Sequence, residues 1–310
     1  MMHLTRFLFL PFAALTLANT PLGAADAVEI KQHWPVGKKL MQVMKMDQSS
    51  SMELAPGQKM DQKMAMTFEM STGVSQHEDG KQKRLNVKYD RVAMDMTMGP
   101  QKMSYDSAKP GEDPLGVGKI MGAIVGKDMK MLVNAKEEVA DIENYDTFSA
   151  NLGGAAGNPM GQMFGKEQLL DMMKQGGLAA MPGKPVKPGD SWPVNYTIKM
   201  PPVGSITIKG TYTLKGPAAR DGVPCQQIAL DATLSMGADA GAPAPLGAKV
   251  TNGKMGGSLW FDPALGVVRG LDLTQTMEIS MKNPVAPDAT ISIPTTQHVT
   301  QTMTKVEDLK

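Results

Sequence analysis

The chain has 310 residues, 42% of them hydrophobic and 20% charged, with 32 Gly and 22 Pro. That composition is globular and excludes disordered and collagen-like chains. The formal net charge is +1, and no long run of like charge occurs, so there is no electrostatic case for nucleic acid or an anionic membrane as partner.

In chain order, the first element is a targeting segment. Arg6 supplies a positive charge, "FLFLPFAALTL" (Phe7 to Leu17) is apolar, and "ANTPLGAADA" is polar and then small. The apolar run is too short to span a bilayer, and the order of the three regions is that of a secretory signal peptide over residues 1–25, cut between Ala24 and Ala27. Residues 26–310 are then one β-rich domain, with two fused sub-repeats (about 28–150 and 185–310) as a variant of that plan. The expected location is the periplasm or the exterior, with no transmembrane segment after cleavage. Export permits disulfides, but Cys225 is the sole cysteine, so stability must come from a packed core.

Strands dominate the remainder of the chain. In "KMAMTFEM", Met64, Met66, Phe68 and Met70 share one face. The same alternation sets Ile206, Ile208, Tyr212 and Leu214 together, then Ile228, Leu230, Ala232 and Leu234, then Leu271, Leu273, Met277, Ile279 and Met281. A period of two with one apolar and one polar face is the mark of half-buried antiparallel strands. Between Lys83 and Met98 the parity changes: Leu85, Val87 and Tyr89 are odd, whereas Val92, Met94, Met96 and Met98 are even. A β-bulge near Asp90 or Arg91 would absorb the extra residue and bend the strand. Turn residues at Gly80, Gly99-Pro100, Gly222 and Asp262–Gly266 punctuate the strands.

Two helices are expected to interrupt this pattern. "DPLGVGKIMGAIVGK" has Asp113 as N-cap, Pro114 as first residue and an apolar stripe through Ile120, Met121 and Ile124. "KEQLLDMMKQGG" carries Leu169, Leu170, Met172 and Met173 before two glycines. The fold class predicted is mainly β (α+β): a large, curved antiparallel sheet or open barrel with two short helices on its concave face. A faint internal echo pairs "HWPVGKKL" with "SWPVNYTI", in line with the sub-repeats.

No HExxH, CxxC, Walker loop, GxGxxG or G-x-S-x-G occurs. Beyond residue 25 the histidines are His33, His77 and His298, far apart in sequence. The reading is non-enzymatic, with no catalytic residue and no cofactor. The 28 methionines remain. An apolar cavity for a lipid or other hydrophobic small molecule would be lined by Met64, Met66, Phe68, Met70, Met94, Met96, Met98, Ile120, Met121, Ile124, Met172 and Met173. The alternative is a methionine-rich Cu(I)/Ag(I) site drawn from Met44, Met46, Met94, Met96 and Met98. The plainest reading makes every methionine ordinary core, in a structural envelope protein whose cavity is plugged by its own helices.

Three stretches, "SYDSAKP", "DPLGVGKIMGAIVGKDMKMLVNAKEEVADIEN" and "MPGKPVKPGDSWPV", resemble an uncharacterised family of exported bacterial β-rich proteins. These motifs are structural, so the resemblance implies a fold and carries over no functional residue. This chain departs from the family in its methionine load. The plan of the family is similar to the half-open barrels with helical lids of exported lipoprotein carriers, in architecture alone.

The targeting reading makes one prediction. The intact mass of the exported protein should correspond to a first residue at Ala25, Asp26 or Ala27; a mass that retains Phe7 to Leu17 overturns it.

Overall fold

The structure is a computed structural model, described over residues 26–55, 58–109, 111, 122–151, 165–167, 169–170, 173, 181–200, 204–237, 249–282 and 290–309. Twelve strands and one named helix succeed one another in chain order among these residues. They are β1 Lys38–Ala55, β2 Gln58–Gln76, β3 Lys83–Met98, β4 Gln101–Asp106, β5 Asp128–Val133, β6 Val139–Ile142, α1 Tyr145–Asn151, β7 Ser191–Met200, β8 Gly204–Arg220, β9 Val223–Gly237, β10 Lys249–Asp262, β11 Val267–Lys282 and β12 Thr290–Asp308.

All twelve strands form one antiparallel sheet in the order β6-β5-β3-β2-β1-β12-β11-β10-β9-β8-β7, with β4 paired to β3 off this path. This is an up-and-down meander joined where β1 meets β12 and left unpaired between β6 and β7. The first and last strands therefore lie side by side, Lys38 opposite Asp308, with their side chains 2.7 Å apart in an ion pair. The long β3 serves two partners on one edge: Lys83–Lys88 pairs with β5, and Ala93–Met98 with β4.

The expected parity change is resolved at one residue. Glu69 of β2 lies opposite Arg91, and Met70 opposite Tyr89, so Asp90 is the extra residue of a bulge. A one-residue slip would otherwise turn half of β3 inside out. Arg91 pins the bulge on the polar face, donating to Glu69 at 2.8 Å and to Asp106 at 2.9 and 2.8 Å. That guanidinium holds the Asp106 carboxyl down at about 2.

One face of the sheet is mainly apolar, with Gln42, Thr72 and Gln301 among its polar members. Across register, Leu40, Thr72 and Val87 form one row, and Phe68 and Val92 lie in another. On the far side, Trp192, Tyr212 and Leu230 align, as do Leu214, Ile228, Leu259 and Leu271. The opposite face is polar, with pairs such as Ser191 with Thr213 at 2.8 Å, Ser104 with Asp95 at 2.7 Å and His298 with Asp272 at 2.8 Å.

The apolar face buries three clusters. One joins β7–β11 through Trp192, Ile208, Leu230, Leu259 and Phe261, with Ile30 and Val186 laid over it. A second joins β2, β3, β5 and β6 through Val74, Leu85, Met131 and Ile142, capped by Ile124, Phe148 of α1 and Leu169. The third, Leu40, Val267 and Met303, sits at the β1–β12 join. Trp34 packs against both the second and the third.

The helical expectation needs correction. The sequence predicts two helices, whereas among the described residues the one named helix is α1, where the pattern predicts none. Of the first expected helix, residues 112–121 lie outside the described residues; Gly122 is helical, and the chain closes in a turn after it. There Val125 donates to the Gly122 carbonyl at 3.2 Å, and Gly126, at φ 73°, donates to the Tyr89 carbonyl at 2.8 Å. Val125 then pairs with Tyr89 of β3. Of the second, residues 166, 167, 169, 170 and 173 are helical.

The segment 26–37 runs as a strap over the apolar face. Val28 and Val186 exchange backbone hydrogen bonds at 2.8 and 2.9 Å, and the His33 N–H donates to the Gly266 carbonyl at 2.7 Å. Gly266 has φ 72°, and a Cβ there would lie 2.5 Å from the His33 Cβ. Gly266→Ala should therefore destabilise the fold by about 1–3 kcal/mol, through backbone strain and loss of strap contact. Urea denaturation measures this, and an unchanged midpoint would show that the strap is not seated there.

Candidate ligand cavity

The sheet curves far enough for its two halves to face each other across a hollow of about 1110 Å³. One wall is Leu40 from β1, Met70 and Thr72 from β2, and Leu85, Val87 and Tyr89 from β3. The other is Tyr196 from β7, Tyr212 from β8, Leu230 from β9, Met255 and Leu259 from β10, and Leu271 and Leu273 from β11. Strand alternation delivers each of these inward, because every one lies on the apolar face of its strand. Gln42 and Gln301 line the hollow near the β1–β12 join, with the Gln301 amide donating to Gln42 at 3.0 Å.

The rim is polar. It is built by Lys31, Gln32 and Trp34 of the strap and by Asn134, Lys136, Glu137 and Glu138 of the β5–β6 hairpin. Glu137 is the fastener, held at φ 66°. It accepts from the Trp34 N–H at 2.9 Å and from Lys83 Nζ at 2.5 Å, with His33 Nδ1 3.2 Å away. Lys83 also donates to the Trp34 carbonyl at 2.9 Å. The His33–Trp34 pair thus ties the β5–β6 tip to the β10–β11 tip, which brings opposite halves of the sheet together.

The three tyrosines of the walls lie in low-dielectric surroundings. Burial raises the Tyr89 and Tyr196 phenols, and pushes Tyr212 up to about 12, with nearby Tyr196 adding to the effect. Tyr212 also stacks obliquely on Trp192, centroids 5.9 Å apart, and Tyr89 meets Phe68 edge-on at 6.2 Å. The hollow therefore presents apolar surface, neutral phenols and amides. No histidine or cysteine lies among its described lining. Cys225 is buried elsewhere, its thiol raised by burial. Among the described residues no group of three or more His, Cys, Asp or Glu is placed to hold a metal.

Of the residues proposed from sequence, Met70 and Met173 line the hollow. Met64, Met66, Phe68, Met94, Met96 and Met98 share the inward face but lie further along β2 and β3, past the hollow. Ile124 is buried in the neighbouring core. Ile120, Met121 and Met172 lie outside the described residues. Of the alternative metal set, Met46 meets Met66, which meets Met94, whereas Met44 faces Phe68 and Met98 faces Gln62. The sequence reading missed Trp34, Tyr89, Tyr196, Tyr212, Leu271 and Leu273 as wall residues. Alternation marked several of them as inward, but nothing local said that both halves look into one hollow.

Raised phenols set the alkaline limit of stability. A group whose folded pKa lies above its unfolded value stabilises fully below the unfolded pKa, and that stability is lost as pH rises through the folded pKa. Unfolding free energy should hold up to roughly pH 10 and fall between roughly pH 10 and 12. Denaturation monitored alongside tyrosinate absorbance checks this; ionisation of every tyrosine near pH 10 without loss of structure would contradict a buried Tyr212.

No curated protein matches the chain. Among solved structures, lipovitellin ("lipid-protein interactions in lipovitellin") is 12% identical with a TM-score of 0.49, over 90% of this chain and 26% of that one. An outer membrane lipoprotein-sorting protein domain from Vibrio parahaemolyticus is 9% identical with a TM-score of 0.16, over 90% and 88%. The COG4313 outer membrane channel from Pseudomonas putida F1 is 7% identical with a TM-score of 0.20, over 87% and 97%. The chain thus spans about a quarter of lipovitellin, and all three scores lie below 0.5, too low to bear on ligand or activity. Residues 80–268, more than half of the chain, match the model of a family of unknown function, DUF6263, and the chain belongs to that family.

Proposed function

We propose that this protein is a non-enzymatic, exported cell-envelope or secreted protein that binds or carries an apolar molecule, a lipid or acyl chain, in the hollow of its half-open sheet. The observation that carries this reading is the hollow itself: about 1110 Å³, at the upper end of ligand sites, walled by aliphatic and aromatic side chains from both halves of the sheet. Among the described residues no helix is long and apolar enough to cross a membrane. The polarity of the sheet, apolar inward and polar outward, is the reverse of that of a lipid-spanning barrel.

Energetics favour a large apolar ligand. Each ~100 Å² of apolar surface removed from water stabilises a complex by about 2.5 kcal/mol, and lost translational and rotational freedom opposes binding by roughly 4 kcal/mol or more. A small polar metabolite cannot offset that against these walls, whereas an acyl chain can. The polar rim, with Lys31, Lys136 and Glu138 beside the strap, leaves a headgroup in water.

Native mass spectrometry of gently purified protein should show co-purified lipid, and a fluorescent fatty acid should bind and be displaced by unlabelled acyl chains. Leu271→Lys, which sets an ammonium into the wall, should weaken the probe by about ten-fold or more at unchanged strand content, since an unpaired charge in an apolar site is costly. A clean ligand-free mass together with no probe binding would refute the carrier reading and favour a structural envelope protein.

A further inference from the structure

We infer that the ends of β2 and β3 beyond the hollow form a second, separate site, for a soft monovalent cation of the Cu(I) or Ag(I) type, held by the thioethers of Met64, Met66, Met94 and Met96. Sequence places these residues only in two distant Met-x-Met pairs. The register closes them into a square: Met66 lies opposite Met94 and Met64 opposite Met96, all on the inward face. Directly opposed Cβ atoms are about 4.5–5.5 Å apart, and same-face neighbours along a strand about 6.8 Å. The sulfur sits two bonds beyond Cβ on an unbranched chain, so three or four thioethers can converge on one ion. Met46 flanks Met66 from β1, and Met103 flanks Met96 from β4, which leaves spare sulfur at two corners.

Three observations favour a ligand set over ordinary core. The first is asymmetry within one sheet. On the same face, the β7–β11 half fills its buried positions with Trp, Leu, Ile, Val and Phe, and Met255 and Met277 stand only at the margin of that cluster. If methionine were merely a substitute for leucine, both halves would show it alike. The second is burial without membership: Met66 and Met94 are 8% and 3% exposed, yet among the described residues neither joins a core cluster. The third is polar company: the Gln62 amide donates to the Met96 sulfur at 3.7 Å, a contact that a soft cation would replace.

The surroundings select the ion. Alternation turns Asp61, Lys63, Glu69 and Asp95 to the outward face, so none of these carboxylates joins the square, and thioethers bind Cu(I) or Ag(I) while leaving hard cations to oxygen. The square is not part of the hollow lining, so the two sites can be tested apart.

The experiment is competition for Cu(I) against a chromophoric Cu(I) chelator, anaerobically and with ascorbate, on the mature protein, with Zn(II) as a control ion. The wild type should withdraw copper from the chelator and ignore zinc. Met66→Leu/Met94→Leu and Met64→Leu/Met96→Leu, which conserve volume, should each lose about ten-fold or more in affinity, by analogy with losses around metal sites. Met277→Leu/Met281→Leu, outside both the square and the hollow lining, should retain it. No withdrawal by the wild type, or equal loss in all three variants, overturns the site. Should a variant fail to fold, X-ray absorption on the copper-loaded wild type decides: an all-sulfur shell supports the square, and nitrogen or oxygen ligands refute it.

Discussion

A single sheet has two faces, and this chain makes only one of them apolar. Nearly everything else in the molecule depends on that imbalance. With no second sheet among the described residues to cover it, the apolar face leaves water by curling on itself and by accepting cover from elsewhere in the chain. The meander supplies the curl, and the β1–β12 pairing closes one seam. Ile30, Trp34, Ile124, Phe148 and Leu169 supply the cover. What they leave unfilled is the hollow between Tyr89 on one wall and Tyr212 on the other.

The strap is the economical part of this solution. A barrel open between β6 and β7 would splay if only hydrogen bonds along the strands held it. His33 and Trp34 instead bridge two hairpin tips from opposite halves, through Gly266 on one side and the Glu137–Lys83 pair on the other. Lys83 and Glu137 side chains are only 16% and 12% exposed, so the fastener is partly desolvated, and removing either partner would leave the other poorly compensated. The same residues rim the hollow, so the element that holds the sheet curved also stands at its entrance.

The methionines divide by position. Met70, Met131, Met173, Met181 and Met255 line the hollow. Met129 is core, and Met131 belongs to that core as well. The square on β2 and β3 stands apart from both. Thioethers adapt to whatever they touch, so one residue type can serve as wall, core and ligand in different parts of one face.

The sequence by itself determined β2, β3, β8, β9 and β11, many of their inward residues and a bulge near Asp90 or Arg91, because a period of two and its interruption are local facts written in consecutive side chains. It did not determine α1, whose short apolar pair Tyr145 and Phe148 resembles loop, nor the turn at Gly122–Gly126 that brings Val125 against Tyr89. Only the tertiary structure decided that Tyr212 and Tyr89 face one hollow, that Trp34 closes it, and that Met64, Met66, Met94 and Met96 meet. Those facts depend on register and curvature, which couple residues as far apart as Lys38 and Asp308. No window of sequence contains both ends of such a contact.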